Sequence, residues 1–132
     1  MKLFLSLVFV VTCIALPFPA AAQAKKAMEQ RHPDVIDVRV TARGGDRFDF
    51  EVTMSSPYDT EQRYADAFRV VDANGRALGE RILFHDHADE QPFSRKLNDV
   101  VIPPTLRRVT VQGRDQKFGY GGKTMEVTLP GR

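Results

Sequence analysis

Arg47-Phe48-Asp49-Phe50-Glu51-Val52-Thr53-Met54 alternates without a fault: Phe48, Phe50, Val52 and Met54 fall on one side of an extended chain, Arg47, Asp49, Glu51 and Thr53 on the other. Successive side chains of a strand point to opposite faces, so a period of two marks a strand with one buried and one wet face. Upstream, residues 34–43 repeat the pattern with Ile36, Val38, Val40 and Ala42 on one face, and Gly44-Gly45-Asp46 lies between the two runs. Together they read as an antiparallel hairpin.

Working outward, residues 63–71 predict a third strand with Tyr64, Phe68 and Val70 on one face. Asp66 shares that face, where an unpaired buried carboxylate is costly, so Arg81 or Arg95 is expected as its partner. Asp72-Ala73-Asn74-Gly75 is a tight turn, because Asn-Gly tolerates the positive φ a hairpin demands. A fourth strand, 76–84, groups Leu78, Ile82 and Phe84, and a short fifth covers 93–97. Pro103-Pro104 excludes central pairing and marks a crossover. Strands at 106–115 and 123–129 follow, joined by the Gly-rich loop Phe118-Gly119-Tyr120-Gly121-Gly122. That loop lacks the Gly, four residues, Gly-Lys-Ser/Thr spacing of a phosphate loop and reads as a hairpin turn with Tyr120 packed on the sheet. Seven short antiparallel strands at turn-length spacing predict an all-β sandwich of immunoglobulin or fibronectin type III kind over residues 34–132, with an open barrel as runner-up.

The first 24 of the 132 residues are a different polymer: they hold the only Cys and a single charge, Lys2. A basic start, an apolar stretch over 3–16 and Ala20-Ala21-Ala22-Gln23-Ala24 make a secretory signal peptide helix, cut after Ala22 or Ala24. The apolar run is shorter than the roughly 20 residues a spanning helix needs, so no stable membrane insertion is expected after cleavage. Cys13 follows Thr12, where a lipidated cysteine follows Gly or Ala, and the reading is export to the periplasm or beyond without a lipid anchor. Residues 25–33 form a polar lead-in. The exported chain then has no thiol, which leaves disulfides, thiolate catalysis and Cys-ligated zinc out of reach. The whole chain has 19 basic and 17 acidic residues, a net charge of +2. Interspersed signs argue against nucleic-acid binding, which needs a concentrated basic face.

The segments 63–71, 78–83, His85-Asp86-His87 with Glu90-Gln91-Pro92-Phe93, and 119–123 together resemble a family of small exported proteobacterial proteins of unknown function with an immunoglobulin-like or fibronectin-like sandwich. The resemblance spans roughly residues 35–130. It implies export and a β-sandwich, and it carries no catalytic or binding residue.

Two constellations could carry chemistry. In Phe84-His85-Asp86-His87-Ala88-Asp89-Glu90, two imidazoles two residues apart project to one side of an extended backbone, so His85, His87 and Glu90 are candidate ligands for zinc or copper(II). The bland alternative is a solvated loop. Tyr64, Asp66, Arg81, Arg95 and Tyr120, with the histidines, could instead assemble a recognition patch for an envelope protein, a peptide or a glycan. No serine has a nucleophile-elbow context and the carboxylates alternate with basic residues, so no enzymatic activity is expected. The sequence thus reads as an exported, non-catalytic binding module without a cofactor, with metal binding as the alternative.

Overall fold

In a computed structural model, which describes residues 19–21 and 29–132, the faultless alternation becomes β2 (Arg47–Ser55), paired antiparallel with β1 (Asp34–Gly44). Most of the signal peptide, with Cys13, Ala22 and Ala24, lies outside the described residues, as do residues 25–28 of the lead-in. No helix among the described residues is long and apolar enough to cross a membrane.

Five further strands follow: β3 (Ala65–Val71), β4 (Ala77–Ile82), β5 (Phe93–Val101), β6 (Arg108–Asp115) and β7 (Gly119–Thr128). They form two antiparallel sheets, β1-β2-β5 and β4-β3-β6-β7. In a constant-type immunoglobulin domain the fourth strand joins the sheet of the first two. Here β4 pairs with β3 instead, so the sandwich is of the fibronectin type III kind. The expected turns are in place: Gly44, Gly45 and Asp46 all have positive φ, as does Gly75 of the β3–β4 turn. There the Asp72 carboxylate accepts the N–H groups of Asn74 and Arg76.

The core lies between the sheets. Phe48, Phe50, Val52 and Met54 of β2 are at most 3% exposed, as their alternation requires, and meet Phe68, Val70, Val109, Val111 and Phe93. Each such side chain contributes about 1.5–3 kcal/mol of burial. Two inward assignments need correction. Val35 rather than Ile36 is buried, because a register shift between Val35 and Asp37 turns the start of β1 over. In β4 the strand ends at Ile82; Leu83 goes into the core, while Ile82 is 39% and Phe84 84% exposed.

The Gly-rich stretch is strand rather than loop, since β7 begins at Gly119. Its glycines accommodate the lead-in: a Cβ on Gly121 would sit 2.7 Å from the His32 ring, and one on Gly113 would sit 2.7 Å from Pro33. His32 Nδ1 lies 3.0 Å from the Gly119 carbonyl, and the Lys123 N–H donates to Asp34. The described part of the lead-in, residues 29–33, is therefore seated on the β6–β7 hairpin.

One pole of the sandwich gathers the start of β1, the β2–β3 loop, the β4–β5 loop and the β6–β7 turn. Hydrogen bonds between these segments define it: Gln30 to the Ser55 carbonyl, the Ser56 N–H to Gln91, and Arg63 to Asp115. In variable immunoglobulin domains the loops that recognise antigen cluster in the same way at one end.

Candidate functional site

The β2–β3 and β4–β5 loops are locked by Asp59, a residue that the sequence pattern gave no reason to single out. Asp59 is 5% exposed and divides its carboxylate between them. Oδ1 accepts the Ala65 N–H at 3.0 Å, at the start of β3, and Oδ2 accepts the His87 N–H at 2.9 Å. Gln91 adds a second tie: its amide accepts the Ser56 N–H and donates to the His87 carbonyl. The His85–Glu90 segment is thus a fixed loop on a rigid scaffold, the setting in which loops serve recognition.

His87 itself is 4% exposed and lies flat on Phe93, with ring centroids 3.8 Å apart and planes 4° from parallel. Its Nδ1 is buried without a hydrogen bond, 3.5 Å from Asp59 Oδ2. Burial, and then the nearby Arg95 guanidinium, hold its pKa below the ordinary 6.5, against the opposing pull of Asp59. The native fold therefore favours the neutral ring. Above the unfolded value of about 6.5 this preference contributes its full stability, and the contribution is lost as pH falls through the lowered native value. Melting temperature should hold steady from about pH 8 to 7 and decline below about 6.5, before the low-pKa carboxylates titrate. A His87→Phe protein, which keeps the stack on Phe93, should lose most of that decline. An equal decline in both proteins would show that His87 does not cause it.

His85 is exposed, its Nδ1 2.9 Å from the Asp86 carbonyl, and its ring centroid is 5.2 Å from that of His87. Glu90 turns to Arg95, which holds it through both terminal nitrogens at 3.2 and 2.9 Å. That contact, ahead of the opposing effect of desolvation, keeps the Glu90 pKa below the usual carboxylate value and raises that of Arg95. So the structure brings the two imidazoles together and leaves Glu90 on a guanidinium. Among the described residues no group of three or more His, Cys, Asp and Glu is placed to hold a metal ion.

The expected recognition patch divides in two. Asp66 pairs with Arg114, at 2.8 and 3.2 Å, and not with Arg81 or Arg95. The cause is a register shift between Ala65 and Ala67, which re-aims Asp66 away from the core to the outer face of β3. Tyr120 joins it there: the Arg69 guanidinium lies 3.8 Å above its ring and its hydroxyl donates to Glu80. These charges satisfy one another on a solvated sheet face. Tyr64 lies just ahead of β3, and its carbonyl accepts the Gln116 N–H.

Arg81 and Arg95 sit elsewhere, on the two sheet edges that face each other, β4 and β5. Arg81 donates to the Lys96 carbonyl across the gap. With His85, His87 and Leu83 they line a cleft of about 110 Å³, and Ile82 and Phe84 stand at its rim. A larger depression, about 250 Å³, lies on the outer face of β1-β2-β5 among Arg39, Arg43, Asp49, Glu51 and Lys96. Its charges are largely internal to the sheet: Arg43 meets Asp49 at 2.5 Å, and Asp49 also accepts the Asp99 N–H. We therefore take the β4–β5 cleft as the candidate site.

Comparison with known proteins adds one relative. Over 100 residues, 76% of this chain, it is 37% identical to a protein of Halomicrobium mukohataei described as "Putative lipoprotein". The match covers 49% of that protein, so the chain spans about half the length of the curated relative it matches. The similarity extends to a haloarchaeon and is not confined to the proteobacterial proteins that the sequence resembles. No family model and no solved structure matches the chain.

Proposed function

We propose that the protein is an exported, non-catalytic binding module of the cell envelope, and that it binds through the β4–β5 cleft and its rim. The observation that carries this reading is Phe84, an aromatic side chain 84% exposed beside a cleft that gathers two arginines and two histidines. Isolated exposed apolar residues are ordinary. An exposed aromatic on a loop tied down from both sides, next to two arginines, has the composition of a recognition hot spot. The secretory signal in the sequence and the description of the haloarchaeal relative both support export.

Phe84→Ser tests it. The substitution lies outside the core, so the unfolding free energy should change by no more than about 0.5 kcal/mol, the range of surface changes. The wild-type protein, immobilised and exposed to envelope extract of the source organism, should retain a reproducible component that the Phe84→Ser protein does not. Equal retention by both removes the site assignment.

The spacing of the two imidazoles, 5.2 Å between ring centroids, favours a second reading as a zinc or copper(II) binding protein. A metal bound by the native state raises its melting temperature. Under this reading Zn²⁺ stabilises the wild type but not a His85→Ala/His87→Ala protein. The same response in both, or none, excludes it.

A further inference from the structure

Resting on the binding reading above, we infer that the cleft accepts a carboxylate side chain from an extended segment of a partner protein, and that Glu90 occupies Arg95 in the free state. Three observations converge. The cleft, about 110 Å³, is well below the roughly 300–1,000 Å³ of sites that enclose a small molecule. It fits one functional group presented by something larger. Its lining offers two hydrogen-bond donors in permanently cationic form, Arg81 and Arg95. Guanidinium groups take planar anions through two parallel bonds.

The second observation is what Arg95 already holds. Glu90 grips both of its terminal nitrogens, so the bonds that a carboxylate would make there are present. Yet the Glu90 side chain is 55% exposed. The pair stays open to solvent on the Glu90 side, so an incoming carboxylate can exchange with Glu90 bond for bond.

The third observation selects the source of the anion. Next to the cleft, β4 is the terminal strand of its sheet, and no described strand pairs with its outer edge. An extended chain can add to such an edge and aim alternate side chains at one face. The loop that follows Phe84 carries Asp86, Asp89 and Glu90. Three acidic residues on that loop disfavour a broad anionic surface such as a lipid headgroup layer, whereas a single carboxylate can still insert between the arginines. Exposed Phe84 and Ile82 supply apolar contacts for the flanking residues of the segment.

The test is a titration of ¹⁵N-labelled protein, followed by amide shifts, with a capped heptapeptide whose central glutamate is flanked by valine and threonine. Its glutamine counterpart and anionic phospholipid vesicles serve as the other arms. The glutamate peptide should shift amides of β4, of the 83–90 loop and of Arg95, with weak affinity near about 1 mM. The glutamine peptide should bind at least about tenfold more weakly, as should the glutamate peptide to Arg95→Gln. Glu90→Gln should bind the glutamate peptide roughly two- to fivefold more tightly, because the internal competitor is gone.

Equal binding of the two peptides, shifts confined to another face, unchanged or weaker binding by Glu90→Gln, or no shift at all would each overturn the inference. So would Arg95-dependent binding to the vesicles, which would assign the cleft to a lipid phosphate. If the peptides fail while Phe84→Ser still abolishes envelope capture, the carboxylate inference falls and the binding site stands.

Discussion

Asp59→Ala should lower the stability of the fold by about 3 kcal/mol, more than any surface change around the site. The Asp59 carboxylate is buried and accepts two backbone N–H groups, from Ala65 and His87. Hydrogen bonds to a charged acceptor are each worth about 1.5–3 kcal/mol, and a buried donor left without one bears its full desolvation cost. Asp59→Asn keeps one carbonyl oxygen and should fall between the wild type and alanine. Equilibrium denaturation gives the size of the effect, and amide exchange gives its location: the 84–91 loop should open at lower cost than the strands. A loss below about 1 kcal/mol would show that packing on Phe93 holds the loop without Asp59.

The second large effect belongs to Asp115, at the end of β6. Its side chain is fully buried and accepts the N–H groups of Lys117 and Phe118, which closes the β6–β7 turn. It also pairs with Arg63, whose guanidinium lies 4.1 Å above the Tyr58 ring and 4.9 Å from that of Phe118. Burial alone would raise the Asp115 pKa. The hydrogen bonds of the Phe118 and Lys117 N–H groups and of Arg63, with the Tyr58 hydroxyl nearby, outweigh it, and the value lies below the ordinary 3.8. The buried Tyr58 hydroxyl has no hydrogen-bond partner that meets the usual geometry, and burial first, then the Asp115 carboxylate, hold it protonated.

Removing one member of a buried pair strands the other, at about 3–5 kcal/mol. Because Arg63 keeps some access to solvent, Asp115→Ala is placed at the lower end, about 3 kcal/mol. That corresponds to a fall of roughly 12–24 °C in melting temperature. The sign with pH follows from the lowered pKa: this stability is present above the unfolded value near 3.8 and is lost as pH falls through the native one. Asp115→Ala should therefore flatten the stability profile only at the acid end, below the window assigned to His87. A fall of less than about 5 °C would mean that the turn is held by the seated lead-in instead.

How far the sequence was legible depended on where the chain keeps its period. β2 was readable residue by residue, since its alternation runs unbroken into the core. The sheet turns were readable from Gly44-Gly45-Asp46 and Asn74-Gly75, whose chemistry is local. Errors fell at register shifts. One exchanged Val35 for Ile36, and another turned Asp66 outward to Arg114, so the partner expected from Arg81 or Arg95 was wrong. A single extra residue inverts every later side chain, and nothing in the one-dimensional pattern marks it.

The candidate site was visible only in part. His85, His87, Glu90, Arg81 and Arg95 drew attention by their chemistry, and the fold does place them together. Tyr64, Asp66 and Tyr120 drew the same attention and lie elsewhere. Asp59 was invisible, because its role is to join two loops 28 residues apart. Phe84 was misread as core: the alternation of 76–84 continued on paper past Ile82, where the strand ends.

The claim that this pole is a binding end is tested most directly by placing a photo-reactive amino acid at position 84 and, separately, at position 41, on the outer face of the opposite sheet, in cells of the source organism. Irradiation should yield a discrete crosslinked product from position 84 and none from position 41. The same products from both positions, or none from position 84, would contradict the account.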